Sequence, residues 1–223
     1  MTSPEPRLPI VLVVDTSAQT AHALLPEFTH AFPALLDGLL HDPLARSRVE
    51  LTVVTFGSDA TLHIPFQGVR TISSFSAKAS GSSNMAAAID RALDQLDART
   101  AEYRAELLEY FRPWLFMITA GTRADFRGFD AAVQRLNAAE VAKLINVFVV
   151  GVGGDVDWEQ LNQLSRERLA LHLDGFAFSE MFRWLSASLS SVSRSSNHGR
   201  NDAEREASST PVPLPSPGDW SNL

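Results

Sequence analysis

The chain has no cysteine among its 223 residues. This excludes disulfide bonds, zinc–thiolate sites and cysteine nucleophiles, and it permits a reducing compartment. Positive charge is also scarce, because 19 lysines and arginines stand against 26 acidic residues, for a net charge of −7. A surface of this charge disfavours sequence-independent binding to nucleic acid phosphates, so we expect no nucleic acid partner.

Long apolar runs are missing as well. No stretch approaches the roughly 20 residues that a helix needs to cross a bilayer, so we expect no membrane insertion. The first residues, MTSPEPRLP, lack the apolar core behind a basic region that marks a signal peptide. Together these absences predict a soluble cytoplasmic protein.

The composition changes near residue 194. Residues 194–223 are rich in serine, proline and other polar residues, and they contain too few aliphatic side chains to bury a core. The run PVPLPSP within them favours a polyproline II conformation. We therefore predict an N-terminal extension at 1–8, one folded domain at 9–193 and a disordered tail at 194–223. The alternative for this tail is a docking segment with Trp220 as a contact residue.

Apolar runs and helical periodicities alternate along the domain. Strands are predicted at 10–15, 49–56, 60–65, 114–119, 145–151 and 168–173. Helices are predicted at 34–41, 84–111, 128–143, 157–165 and 177–192. Pro26 and Pro33 indicate that the first helix starts late, is kinked or is formed in two pieces.

This alternation predicts a doubly wound α/β fold with a mostly parallel, six-stranded sheet and helices on both of its faces. Gly57-Ser58-Asp59, between two predicted strands, is a hairpin signal. The strand at 60–65 is therefore expected to be an antiparallel edge strand. Pro65 agrees with an edge position, since proline cannot donate a hydrogen bond to a ladder.

Three polar loops are predicted at positions where a doubly wound fold binds ligands. The first begins at Asp15, directly after the apolar run IVLVV; the second is SGSSN at 80–84; the third is TAGTR at 119–123. Ligands of such folds lie outside the carboxyl ends of the strands, where the winding direction reverses. We expect the three loops to converge at this edge of the sheet.

The three loops resemble those of von Willebrand factor A domains, in which an Asp-x-Ser-x-Ser motif, a threonine and an aspartate bind a divalent cation. Asp15 and Ser17 match the first motif, and Ser83 keeps the hydroxyl of the threonine. Gln19 replaces the last serine of the motif, and Ala120 stands where the family has its aspartate. The resemblance thus implies a degenerate metal-ion-dependent adhesion site.

The residues left for a metal ion would be Asp15, Ser17 and Ser83. A single carboxylate repays the dehydration of Mg²⁺ poorly, so we predict no cofactor, with Mg²⁺ binding as the alternative. A buried Asp15 would then need other partners, and Lys78 and Arg123 are the candidate cations in these loops. No residue is predicted to be catalytic. Ser17 and Ser83 have no paired general base that the sequence identifies, and a hydrolytic enzyme using Asp15 is the remaining alternative.

Longer stretches, among them RLPIVLVVDTS, ASGSSNMAAAID and INVFVVGVGGDVD, are similar to the tellurium-resistance TerY-like subgroup over roughly residues 7–195. This resemblance implies a bacterial, cytoplasmic, non-enzymatic adaptor of a stress-response, tellurite-resistance or phospho-signalling system. It also implies protein partners of the kinase or phosphatase type. We name the expected contact surface the loop rim, and its residues are Asp15, Ser17, Gln19, Ser83, Asn84, Thr122 and Arg123.

Overall fold

The computed structural model describes residues 4–18, 21–120, 127–173, 177–201 and 204–205. The strands are β1 (Leu8–Asp15), β2 (Val49–Phe56), β3 (Ala60–Gly68), β4 (Tyr110–Phe111), β5 (Trp114–Thr119), β6 (Asn146–Val152), β7 (Leu171–Leu173) and β8 (His198–Gly199). The helices are α1 (Ala21–His41), α2 (Pro43–Arg48), α3 (Met85–Ala105), α4 (Phe129–Val141), α5 (Trp158–Leu161) and α6 (Phe178–Arg194). None of these helices has both the length and the apolar character needed to cross a bilayer.

Within these ranges six strands form one sheet in the order β3-β2-β1-β5-β6-β7. Every neighbouring pair is parallel except β2 and β3, which run antiparallel. β3 therefore lies at one edge, as the hairpin signal and Pro65 predicted. The doubly wound, mostly parallel six-stranded sheet is confirmed.

The alternating residues of β1 show how the two faces of the sheet are covered. Ile10, Leu12 and Val14 belong to a buried cluster with residues of α1 and α6. Val11 and Val13 belong to a second cluster with residues of α3 and α4. Because both faces are covered by helices, the strand is a continuous apolar run, and polar groups enter only at its end.

Helix α1 begins at Ala21, well before the predicted start at residue 34, so the expected late start was wrong. Pro26 and Pro33 both lie inside the helix. Each proline removes a backbone hydrogen bond. An apolar stripe offsets this loss by packing against the sheet and α6; its fully or almost fully buried members are Leu24, Phe28, Phe32, Leu35 and Leu39.

Helix α3 ends at Ala105 and not near residue 111 as predicted. Leu107 adopts a left-handed φ of 57°, which stops the helix. The N–H of Leu108 then donates to the carbonyl of Tyr103 at 2.9 Å, a bond typical of helix C-termini. The apolar periodicity continued through Phe111, but that residue belongs to β4.

The chain also packs on the domain beyond the predicted boundary at residue 193. β8 pairs antiparallel with β4, and the Arg205 guanidinium lies 4.3 Å from the ring centroid of Tyr110. The described part of the predicted tail, 194–201 and 204–205, is therefore packed on the domain, where the composition predicted disorder. At the other end, Arg7 bridges to Tyr110 and β1 starts at Leu8, inside the predicted extension. Residues 206–223, with Trp220, lie outside the described residues.

A buried ionic cluster fastens α3 to the amino end of β2. The Glu50 carboxylate accepts a hydrogen bond from Arg99 Nε at 2.8 Å and another from the Tyr103 hydroxyl. Glu50 and Tyr103 are only 7% and 1% exposed. Burial, together with the negative charge of Glu50, raises the pKa of the Tyr103 phenol above its usual value.

Candidate functional site

The candidate site lies where the winding of the sheet reverses. From β1 the sheet continues to β2 and β3 on one side and to β5, β6 and β7 on the other. Val14 of β1 is paired with Ile118 of β5, so the next residues, Asp15 and Thr119, end the two strands side by side. Ligands of doubly wound sheets bind in the crevice at this kind of switch point.

Neutral donors from three segments hold the Asp15 carboxylate, which has no exposed surface. Asp15 Oδ1 accepts a hydrogen bond from the Ser17 N–H at 2.9 Å. Asp15 Oδ2 accepts hydrogen bonds from the hydroxyls of Thr119 at 2.7 Å and Ser83 at 3.2 Å. The structure therefore brings Asp15, Ser17 and Ser83 together, and these bonds offset part of the cost of burying a carboxylate.

Thr119 was missing from the predicted loop rim, although its loop was included. It has no exposed surface, and it makes the shorter of the two hydroxyl bonds to Asp15. The available signal was a hydroxyl residue ending the apolar run WLFMIT. Ala120, the next residue, is the one aligned with the aspartate of the family, and it offers no side-chain oxygen. The end of β5 therefore supplies the Thr119 hydroxyl, but no carboxylate follows it.

Three of the predicted rim residues lie outside the described part of the chain. These residues are Gln19, Thr122 and Arg123. Arg123 was also one of the two candidate cations for Asp15. Asp125, two residues after the sequence TAGTR, is a further carboxylate in this part of the sequence and also lies outside the described residues.

Backbone hydrogen bonds join the first loop to the second. The Ser80 N–H donates to the Thr16 carbonyl at 2.8 Å, and the Ala18 N–H donates to the Gly81 carbonyl at 2.9 Å. Gly81 has a φ of 66°, and a Cβ there would lie 2.7 Å from the backbone nitrogen of Ser58. Glycine is needed at this point because both the conformation and the close approach exclude a side chain.

Asn84 ties the second loop to the β2–β3 turn. Its N–H donates to the Gly57 carbonyl at 2.8 Å, and its side-chain amide donates to the Ser58 carbonyl at 3.0 Å. Its side-chain oxygen accepts the N–H of Ala87 at 3.1 Å and caps α3. Asn84 was predicted as a rim contact, and both the oxygen and the nitrogen of its side-chain amide are engaged in hydrogen bonds within the domain.

A polar cavity of about 300 Å³ opens beside this site. Lys78, the second cation proposed for Asp15, lines this cavity together with Thr16 and His63. In the described part of the chain, Lys78 forms no ion pair with Asp15. The described partners of Asp15 are hydroxyls and a backbone N–H, and no described group of three or more His, Asp or Glu side chains is placed to hold a metal ion.

Solved structures share this fold at low sequence identity. A von Willebrand factor type A protein from Catenulispora acidiphila is 14% identical, with a TM-score of 0.60 over 83% of this chain and 43% of that one. The pilus adhesin SpaC from Lactobacillus rhamnosus GG is 11% identical, with a TM-score of 0.67 over 85% and 31% of the two chains. Proximal thread matrix protein 1 from the mussel byssus is 13% identical, with a TM-score of 0.55 over 84% and 48%.

This chain spans less than half the length of each of these proteins, and identities this low show the fold alone. No curated protein matches the sequence. The family model described as von Willebrand factor type A domain matches residues 10–181, from the strand that delivers Asp15 into the last long helix. The chain therefore belongs to the von Willebrand factor type A domain family.

Proposed function

We propose that this domain is a non-enzymatic adaptor that binds a protein partner through the loops of its loop rim, in which the buried Asp15, Ser17 and Ser83 support the contact surface rather than form it. Domains of this family generally mediate protein interactions. The observation that carries the proposal is the Asp15 carboxylate, buried and held by donors of three segments. It fixes the positions of the surrounding loops before any partner arrives, and such preorganisation lowers the entropic cost of binding.

The burial of Asp15 also argues against the hydrolytic alternative. A general acid or base must come within hydrogen-bond reach of the group that it protonates or deprotonates. Asp15 has no exposed surface, and hydrogen bonds from Ser17, Ser83 and Thr119 occupy its two oxygens. Its role in this proposal is structural, and catalysis has no support from it.

We propose further that the rim binds its partner without a metal ion. Mg²⁺ requires about six oxygen ligands in near-octahedral geometry, usually with one or two carboxylates among them. The described oxygen ligands are one carboxylate, the Ser83 and Thr119 hydroxyls that already donate to it, and the Ser17 hydroxyl. An ion placed among them would break these hydrogen bonds and would meet a single negative charge among the described side chains. This donor set does not fit a divalent ion.

A metal-dependent binder is the second candidate function. It is favoured by the grouping of Asp15, Ser17, Ser83 and Thr119 at one strand edge. It is also favoured by the mussel byssus protein, whose structure is described as having a zinc-occupied MIDAS motif. In this candidate, Asp15, Ser17 and Ser83 would bind Mg²⁺, and a carboxylate of the partner would complete the coordination.

The cellular setting that we propose is a bacterial stress-response, tellurite-resistance or phospho-signalling system in the cytoplasm. Its support is the similarity of several sequence stretches to the TerY-like subgroup. The partners would be kinase- or phosphatase-type proteins of the same system.

The direct test is to coexpress the chain with the kinase- and phosphatase-type proteins encoded beside its gene. We expect at least one stable complex, with the same affinity by calorimetry in EDTA and in excess Mg²⁺. Arg123→Ala, in the rim, should weaken that complex, whereas Arg70→Gln, outside it, should not. A complex that forms only with Mg²⁺ would favour the second candidate, and no complex with any of these proteins would contradict the proposed partners.

A further inference from the structure

The polar cavity beside Asp15 is part of the same face as the loop rim. It lies between the β2–β3 hairpin and the coil that leads to α3. The residues that line it are Thr16, Thr55, Gly57, Asp59, Thr61, His63, Ser76, Ala77, Lys78 and Ser80. Thr16 follows Asp15 directly and donates its hydroxyl to the Phe56 carbonyl at 3.0 Å, so the cavity is next to the buried carboxylate along the chain.

Hydrogen-bond donors dominate the lining of this cavity. The Lys78 ammonium is a donor only, and the His63 imidazole can donate as well. Four hydroxyls that can also donate belong to Thr55, Thr61, Ser76 and Ser80. Among the described lining side chains, Asp59 alone is restricted to accepting when ionised. A group that accepts several hydrogen bonds and carries negative charge suits such a lining.

These polar side chains have no hydrogen-bond or ion-pair partners inside the described protein. Lys78, His63 and Asp59 take part in no side-chain hydrogen bond or ion pair there, and the same holds for the four hydroxyls. Lys143, the other lysine of the sequence, is by contrast paired with Glu167. The His63 ring is held in place by packing against Phe75, with a centroid distance of 5.0 Å. The cavity thus presents donors that are not used internally, and packing holds the His63 ring among them.

We propose that this cavity binds an anionic side chain on a peptide segment of the protein partner, without a metal ion. The anion is a carboxylate or a phosphorylated hydroxyl, because both present oxygens to the hydroxyls and a negative charge to Lys78. A volume of about 300 Å³ is at the small end of ligand pockets and suits one side chain. The inference rests on the proposed function, since it names the group that the partner presents.

A second, more open groove indicates that the ligand is a peptide and not a free ion. This groove of about 550 Å³ lies between α1 and the same coil, and its lining includes Leu25, Pro26 and Ala79. Ala77 lines both the groove and the polar cavity. A peptide whose anionic side chain enters the cavity can therefore lay its next residues across Ala77 into the groove.

The test uses the full chain labelled with ¹⁵N and three pools of end-capped, otherwise degenerate heptapeptides in EDTA. Their fixed central residue is glutamate, phosphoserine or glutamine. We expect the glutamate pool, the phosphoserine pool or both to shift the amide signals of Thr61, Ser76, Lys78 and Ser80, and the glutamine pool to leave them unchanged. The pool that acts at the lower concentration identifies the source of the anion.

Two substitutions should change the binding in opposite directions. Lys78→Gln should weaken it about tenfold, the usual effect of losing one charge-assisted hydrogen bond. Asp59→Asn should strengthen it, because the substitution removes a negative charge from the lining. Arg70→Gln is the matched control: Arg70 is exposed, and it follows the end of β3 that pairs with Glu50, far along that strand from the cavity.

The proposal is wrong if the glutamine pool produces the same shifts, if no pool produces them, or if Lys78→Gln behaves like Arg70→Gln. These results are separable from the test of the proposed function. A complex with a neighbouring gene product that survives Lys78→Gln at full affinity overturns the anion cavity and leaves the adaptor function standing. If the anionic pools bind but no such complex forms, the anion cavity stands and the proposed partners are wrong.

Discussion

The Thr119 hydroxyl donates to Asp15 Oδ2 at 2.7 Å and joins the carboxyl ends of two neighbouring strands. Both residues have no exposed surface. β1 and β5 are the strands between which the winding of the sheet reverses. This contact therefore lies at the switch point where doubly wound domains bind their ligands.

Thr119→Val should lower the free energy of unfolding by about 1–3 kcal/mol, because it leaves a buried carboxylate oxygen with one donor fewer. Urea denaturation monitored by circular dichroism measures this change. The matched control is Thr61→Val, since the exposed Thr61 hydroxyl has no hydrogen-bond partner among the described residues. Equal stability of the two variants would show that the Thr119 bond contributes nothing to the fold.

Mg²⁺ or Mn²⁺ should leave the midpoint of thermal unfolding unchanged relative to EDTA. A site filled at a hundred times its Kd would add about 2.7 kcal/mol to the stability, an effect that thermal-shift assays detect easily. Asp15→Asn and Asp125→Asn serve as controls, because each removes one carboxylate that could bind the metal ion. A rise in midpoint with the metal that disappears in Asp15→Asn would contradict the metal-free rim and favour the metal-dependent binder.

Asn84→Ala should cost about 1–2 kcal/mol of unfolding free energy, the usual cost of losing a helix N-cap. Asn84→Asp separates the two contacts of this side chain. It keeps an acceptor for the Ala87 N–H at the positive end of α3 but loses the donor to the Ser58 carbonyl. We expect chemical denaturation to rank the aspartate variant between wild type and alanine. If Asn84→Ala were as stable as the wild type, the side chain would not be needed for the fold, and its role as a partner contact would be favoured instead.

Stability should fall above about pH 10, the pKa of tyrosine in an unfolded chain. Burial and the Glu50 charge raise the pKa of Tyr103 in the folded protein, so the unfolded chain loses this proton first. The contribution of Tyr103 is therefore complete below about pH 10 and is lost as the pH rises toward the folded pKa. Urea midpoints measured from neutral to alkaline pH should decline less steeply for Tyr103→Phe. An unchanged slope in that variant would show that other groups cause the decline.

The strands were predictable because their apolar runs end at polar residues. The predicted spans at 49–56 and 114–119 agree with the observed bounds of β2 and β5. The start of α1 was not predictable from local rules, since Pro26 and Pro33 disfavour a helix that packing against α6 stabilises. β4 and β8 have two residues each, and the contact between them joins segments far apart in the chain. No hydrophobic periodicity in the sequence predicts strands this short.

The site was predictable to the extent that it depends on strand ends. Asp15, Ser17 and Ser83 were identified because a carboxylate and hydroxyls follow apolar runs or precede a helix. Thr119 was missed because its contact with Asp15 depends on the register between β1 and β5, which the sequence does not state. The cavity at Lys78 was missed for a similar reason: its walls come from a hairpin and a coil whose packing is set by Gly57 and Gly81.

Both ends of the described chain meet at β4. The Phe111 N–H donates to the Arg7 carbonyl at 2.8 Å, and Gly199 pairs with Tyr110. Arg7 precedes the first residue of β1 and Asp15 is its last, so this junction and the polar loops lie at opposite poles of the molecule. A tag or a fused domain attached directly beside Arg7 or Gly199 would therefore lie on the opposite side of the molecule from the polar loops.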